Sequence, residues 1–148
     1  MSFLEQVKKA TPQAPVVTIV GFAGSGKSSL AGLFPNPIFI QAENATSVFE
    51  TVSDDLQPAF FPQLPIPNAK RNIKTSDVLL EQLRELVTQD HEFKTVVIDT
   101  VTALNILFEQ EVIEFDEKGA SNIGEAAGGY NKGYLVVAGI HAKLRAAC

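Results

Sequence analysis

Short runs of β-branched and aromatic residues alternate along this chain with longer stretches of helical period. Val16-Val17-Thr18-Ile19-Val20, bounded by Pro15, predicts a buried strand. So do Ile38-Phe39-Ile40 with Gln41, and Thr95-Val96-Val97-Ile98, which closes on Asp99. Lys27 to Leu33 suits a short helix that Phe34-Pro35 ends. Thr75-Ser76-Asp77 opens a longer helix, with Thr75 or Ser76 as the expected N-cap. Its Leu79, Leu83, Leu86 and Val87 recur at helical spacing until about Asp90-His91. A third helix is expected from about Thr102 to Phe115, with Leu104, Leu107, Phe108 and Val112 inward; Asp99-Thr100-Val101-Thr102 can supply its cap. The last starts near Gly133 or Tyr134, turns Leu135, Val136, Ile140 and Leu144 inward and leaves His141 on the surface. It reaches Arg145-Ala146-Ala147-Cys148 without a stop signal, as a cut would leave it.

Three stretches lack a period. Residues 1–15 read as a short amphipathic lead and a Pro-containing connector. From Ser53 to Lys74 prolines 58, 62, 65 and 67 predict an irregular surface excursion. The basic cluster at its end, Lys70, Arg71 and Lys74, reads as a solvated loop, with a phosphate or nucleic-acid contact as the alternative. Asp116 to Gly133 holds glycines 119, 124, 128, 129 and 133, so it is expected to be mobile or shaped by a partner. The whole pattern is that of an α/β protein. Glu43 lies just past the second strand and Asp99 closes the third, which puts both at the edge of an open parallel sheet where ligands bind.

Composition narrows the class. With 148 residues the chain is one domain with room for a core, and its 45% hydrophobic and 20% charged content is that of a soluble globular protein. A net charge of −5 argues against constitutive, electrostatically driven nucleic-acid binding. The single cysteine, Cys148, excludes an intrachain disulfide and suits a reducing cytosol. Met1 to Thr11 carries Glu5, Lys8 and Lys9 and no apolar core of signal-peptide length, and no apolar run is long enough for a membrane helix. Asn44-Ala45-Thr46 fits a glycosylation acceptor, which is idle without secretion.

The candidate chemistry sits in Gly21-Phe22-Ala23-Gly24-Ser25-Gly26-Lys27-Ser28, which matches G-x-x-x-x-G-K-[ST] without a mismatch and stands between an expected strand and an expected helix. Glycines at 21, 24 and 26 let the backbone curl so that successive N–H groups face inward. Those donors and the start of the helix cradle di- or triphosphate oxygens. Lys27 brings a full charge to the outer phosphates, and the Ser28 hydroxyl can ligate Mg²⁺. Gly21, Gly24, Ser25, Gly26, Lys27, Ser28 and Ser29 are therefore the candidate nucleotide-binding residues. Asp99, at the end of an apolar strand, is the candidate holder of Mg²⁺ water ligands; a turn or helix cap is the plainer alternative.

With these residues in hand the chain resembles the RecA-like P-loop ATPases, in particular the small phage-type ones of single-strand annealing and recombination. The resemblance covers roughly residues 15–148. It rests on Gly21 to Ser29, on Pro35-Asn36-Pro37-Ile38-Phe39-Ile40-Gln41-Ala42-Glu43 and on Val96-Val97-Ile98-Asp99-Thr100-Val101-Thr102-Ala103-Leu104. Gly128-Gly129-Tyr130 to Tyr134, leading into a helix, is similar as well. It implies a RecA-like parallel sheet flanked by helices, and makes Glu43 the group that orients or deprotonates the attacking water. The family's pattern there is closer to Asp-Thr-Glu-Gly, from which Gln41 and Asn44 depart. It places Asp116 to Gly133 where a DNA-facing loop is found, although Lys118 and Lys132 stand there against Asp116, Glu117 and Glu125. It also implies a further strand, beginning after Cys148, inserted between the strand before the glycine loop and the strand of Asp99. On that reading residues 16–148 are a C-terminally truncated P-loop ATPase domain behind a lead of residues 1–15.

The expectation is Mg²⁺-dependent ATP binding and hydrolysis in the cytoplasm, that of the host for a phage protein, with Lys27 and Glu43 catalytic and Ser28 and Asp99 on the metal. The resemblance adds single-stranded DNA and further copies of the chain as partners, and no membrane. Two rivals remain open: a P-loop kinase of a small acceptor, which needs a lid with arginines where only Arg71, Arg84 and Arg145 are present, and a nucleotide-gated scaffold that hydrolyses little.

Overall fold

The computed structural model describes residues 14–147; most of the expected N-terminal lead and Cys148 lie outside them. At its centre runs β1 (Pro37–Gln41), four of whose five residues are buried. β1 pairs in parallel with β3 (Thr95–Asp99), Pro37 opposite Thr95 and Gln41 opposite Asp99. On its other side it pairs in parallel with β2 (Ala59–Phe60), giving the order β2-β1-β3. Helices pack on this sheet, so the chain has the expected α/β architecture with a parallel sheet.

Alternation along β1 sorts the core into two layers. Ile40 faces α2 (Thr75–Thr88), α3 (Val101–Glu114) and α4 (Lys132–Ala147), where Leu79, Leu83, Leu104, Leu107, Phe108, Val137 and Leu144 close the larger cluster. Phe39 faces the other way, into a small cluster with Ala31, Ala45 and Phe49. There the rings of Phe39, Phe49 and Phe60 meet at centroid separations of 5.2–5.7 Å, within the range of favourable aromatic pairs. α1 (Lys27–Ala31) lies on this thinner side.

The strand expected at Val16–Val20 does not form. The segment lies outside the sheet, with Val16 90% and Val20 89% exposed, and only Ile19 packs inward, onto the small cluster. A β-branched run is only half of a strand; it needs a neighbour's backbone groups. Among the described residues the edge of β3 away from β1 carries no strand beside which this run could pair.

The opposite correction applies to Ser53–Lys74. Inside this proline-rich stretch β2 joins the sheet, and Phe61 N and Leu64 N continue the pairing onto Phe39 O and Gln41 O, both at 2.9 Å. Pro58 and Pro62 mask a strand of two residues. In α2, Thr75 and Ser76 are buried helical residues rather than the cap: the Thr75 hydroxyl donates to Pro65 O, and Ser76 N donates to Glu111 of α3. Val87, expected inward, is exposed because α2 leaves the core after Leu83.

α4 keeps half of its expected face: Leu144 is buried and Ile140 packs against the core, but Leu135 and Val136 are exposed, and Gly133 and Val137 are buried instead. Gly133 sets this orientation, since a Cβ there would collide with the backbone of Ile123. His141 is half-buried rather than a surface residue: its ring meets Phe108 edge-on at 5.0 Å and its Nε2 bonds Asn105 Oδ1 at 2.9 Å.

Candidate functional site

The glycine loop reaches its shape through Gly24 and Gly26, at φ of 74° and 81°, values that L side chains rarely adopt. Gly21 needs the absence of a Cβ for a different reason, as one there would run into Ser25 Oγ. Leu30 N donates to Gly26 O at 2.9 Å to start α1, so the amides of Gly26, Lys27, Ser28 and Ser29 precede the first helical donor and have no acceptor among the described residues. Lys27 folds back over the loop, its Nζ donating to Gly21 O at 3.0 Å and Phe22 O at 2.8 Å. The loop itself is open to solvent.

Ser28 and Asp99 meet although 71 positions separate them: Ser28 Oγ donates to Asp99 Oδ2 at 2.6 Å. Asp99 is buried at the C-terminal end of β3, beside the end of β1. Glu43 arrives at the same sheet edge from β1. Ala42 N and Glu43 N both donate to Asp99 O, at 2.9 and 3.4 Å, and Glu43 Oε1 accepts from the Thr100 hydroxyl at 2.9 Å. The structure thus gathers Lys27, Ser28, Asp99 and Glu43 on one side of the sheet, with Gly21, Gly24, Ser25, Gly26 and Ser29 in the adjoining loop. These residues come together even though the run before the loop is not a strand.

Its donor set is oxygen only. Among the described residues no group of three or more His, Cys, Asp or Glu side chains could hold a metal ion. A hydroxyl and a single carboxylate suit Mg²⁺, which keeps several waters and completes its shell with phosphate oxygens.

Sequence reasoning passed over Thr100 as more than a cap. It is the cap of α3, its Oγ1 accepting from Ala103 N at 3.2 Å, and the same hydroxyl holds Glu43. Nothing in local spacing shows the second contact, which depends on β1 and β3 being neighbours. The segment Asp116–Gly133, expected to be mobile or shaped by a partner, has an internal organiser. Asp116 Oδ1 accepts from Ala127 N at 2.8 Å, and its Oδ2 from Lys118 N at 3.0 Å and Ala120 N at 3.2 Å. The Ala127 amide above all holds the Asp116 pKa below the usual carboxylate value. Ile123 and Ala126 of the same segment are buried.

A cavity of about 500 Å³ opens elsewhere, between the end of α3, α4 and residues 116–128. Lys74 and Lys118 stand on its wall beside Glu111, Asp116 and Glu117, a mixed lining without the convergent donors of the glycine loop. Of the basic cluster, Lys74 sits over the Phe115 ring at 5.0 Å.

The model of the AAA domain family matches residues 13–144. No curated protein and no solved structure matches the chain. The chain therefore belongs to the AAA domain family, a family of P-loop proteins, and nucleotide binding is the activity that membership carries. Among the described residues no helix is long and apolar enough to cross a membrane.

Proposed function

We propose that the chain binds Mg·ATP in the Gly21–Ser29 loop and hydrolyses it. The observation that carries this reading is the 2.6 Å bond from Ser28 to Asp99, which brings the end of the phosphate loop to a buried carboxylate at the ligand-binding edge of the sheet. The loop amides and the Lys27 ammonium bind the phosphates and offset the charge that develops on them. Ser28 and Asp99 would hold Mg²⁺, which when bound would supply positive charge to offset that of the phosphate oxygens. Glu43, at the same edge, orients the attacking water and takes its proton.

Glu43→Gln tests the division of labour. Affinity for ATP is retained, while phosphate release falls by roughly 10²–10⁴, the range of general-base assistance. Ordinary turnover in that variant moves the base elsewhere. Phosphate release without any added acceptor separates the ATPase from a kinase. The role proposed by resemblance is phage-type recombination or single-strand annealing in a cytoplasm, with single-stranded DNA and further copies of the chain as partners. Stimulation of hydrolysis by single-stranded DNA is its test, and a rate indifferent to DNA at every concentration removes that role.

For the domain we propose that residues 16–148 form a P-loop ATPase unit whose sheet takes one more strand on the edge of β3 that is unpaired among the described residues. The solvent-facing Val16, Val17 and Val20 and the half-exposed Val96 support this, because a strand placed there would cover apolar surface and pair backbone groups. A reversible, cooperative melt of the 148-residue chain, unchanged by C-terminal extension, would sink it.

A further inference from the structure

The geometry points to Thr100 as a positioning residue for Glu43, one that ties the water-activating carboxylate to the same dipeptide that serves the metal side of the site. The inference rests on the reading of Glu43 as the group that acts on water.

A hydroxyl has one proton to give. Thr100 Oγ1 accepts from Ala103 N at 3.2 Å, since a backbone amide can only donate, and the proton of Oγ1 is directed to Glu43 Oε1 at 2.9 Å. The direction of this bond is thereby fixed: Glu43 accepts. Oε1 is engaged, and Oε2 has no hydrogen-bond partner among the described residues, which leaves it available to a water. Glu43 is itself exposed, and an exposed glutamate without such a tether samples several rotamers.

The backbone adds a second anchor. Asp99 O accepts from both Ala42 N and Glu43 N, at 2.9 and 3.4 Å. Main chain and side chain of Glu43 are thus both held by Asp99-Thr100, while the Asp99 carboxyl takes the Ser28 hydroxyl at 2.6 Å. Two adjacent residues at the end of β3 therefore connect the phosphate loop with the base. Because Thr100 also begins α3, any movement of that helix's first turn is passed to the Glu43 carboxylate.

The test separates this tether from simple helix capping. Thr100→Ser keeps both bonds; Thr100→Val keeps the shape and loses both; Thr100→Asp keeps a cap acceptor but has no proton for Glu43. In the nucleotide-free protein, the side-chain order of Glu43 from ¹³C relaxation is retained in Thr100→Ser and lost in Thr100→Val and Thr100→Asp. In turnover, kcat falls about 10- to 100-fold in Thr100→Val and Thr100→Asp, the scale of a misplaced catalytic group, with nucleotide affinity within about twofold and Thr100→Ser close to the parent. Placed in a Glu43→Gln background, Thr100→Val lowers the rate no further, as expected when two residues act as one unit. Unchanged Glu43 order in Thr100→Val overturns the tether. So does a full further loss of rate in the Glu43→Gln background, which is the mark of a structural role. If Glu43→Gln alone keeps full activity, the base reading fails instead, and the relaxation measurement still decides whether Thr100 holds the carboxylate.

Discussion

Ser28 Oγ donates to Asp99 Oδ2 at 2.6 Å, and this contact links the phosphate loop to the buried end of β3. The two oxygens are close enough to share one metal shell. Ser28→Ala and Asp99→Asn are both expected to raise the Mg²⁺ concentration needed for half-maximal nucleotide binding, by about 10- to 100-fold, the scale for losing a group that holds or orients metal ligands. Turnover falls with it, while binding measured in EDTA stays close to the parent. Titration of a fluorescent ATP analogue at several Mg²⁺ concentrations checks this. An unchanged Mg²⁺ requirement in both variants would mean that the pair is only a structural hydrogen bond.

Lys27 provides a second, independent reading of the same loop. Its ammonium rests on Gly21 O and Phe22 O, within the loop proposed to take the phosphates. A charge-assisted hydrogen bond contributes about 1.5–3 kcal/mol, and tenfold in affinity is about 1.4 kcal/mol. Lys27→Ala therefore weakens Mg·ATP binding by at least about tenfold. Equal affinity in the two proteins by the same titration would leave the loop a bystander.

What could be read from the chain beforehand depended on whether local chemistry or a distant partner decided the outcome. The glycine loop was legible because its residue types are dictated by its own backbone, as the φ values of Gly24 and Gly26 show. β1 and β3 were legible because continuous apolar runs leave few alternatives. Val16–Val20 carries the same signal, yet its state depends on whether another strand lies beside it. β2 was hidden for the converse reason: two residues between prolines form a strand only because β1 offers its edge. Glu111 could have been found. It lies four positions after Leu107 and three after Phe108, on the buried stripe of α3, where a carboxyl side chain must have a dedicated partner. Thr100's hold on Glu43 could not, since it requires knowing that β1 and β3 are adjacent.

That dedicated partner yields a stability prediction. Glu111 is buried and takes Ser76 N at 2.8 Å on Oε2, with the Ser76 hydroxyl on Oε1, so α3 supplies the cap that α2 lacks. Glu111→Ala leaves two buried donors unsatisfied, at about 1–3 kcal/mol each. At roughly 2–4 °C per kcal/mol for a chain of this size, the midpoint of thermal unfolding drops measurably. Glu111→Gln keeps an acceptor and loses less. A melting temperature in Glu111→Ala equal to the parent's would show that water replaces the carboxyl at no cost.

The last prediction concerns acid. Asp116 gathers the amides of Ala127, Lys118 and Ala120 around one carboxylate, and these bonds, the first foremost, hold its pKa below the ordinary aspartate value of 3.8, helped by the Lys118 charge and opposed by partial desolvation. A depressed folded-state pKa means that the group stabilises the ordered segment fully above its unfolded value of about 3.9. The contribution is lost as the pH falls through the lower, folded value, so this group gives no pH dependence between about pH 5 and pH 8. The amide resonances of Lys118, Ala120 and Ala127 are therefore expected to move together with a midpoint below about 3.9, and amide exchange across residues 117–131 to accelerate there. Asp116→Asn keeps one acceptor oxygen and loses the charge, so at neutral pH it cannot hold all three amides. In that variant trypsin should cut after Lys118 faster than in the parent, and the acid midpoint should disappear. A common midpoint above about 4, or a tryptic rate equal to the parent's, would show that the segment is organised by its buried Ile123 and Ala126 rather than by the Asp116 carboxylate.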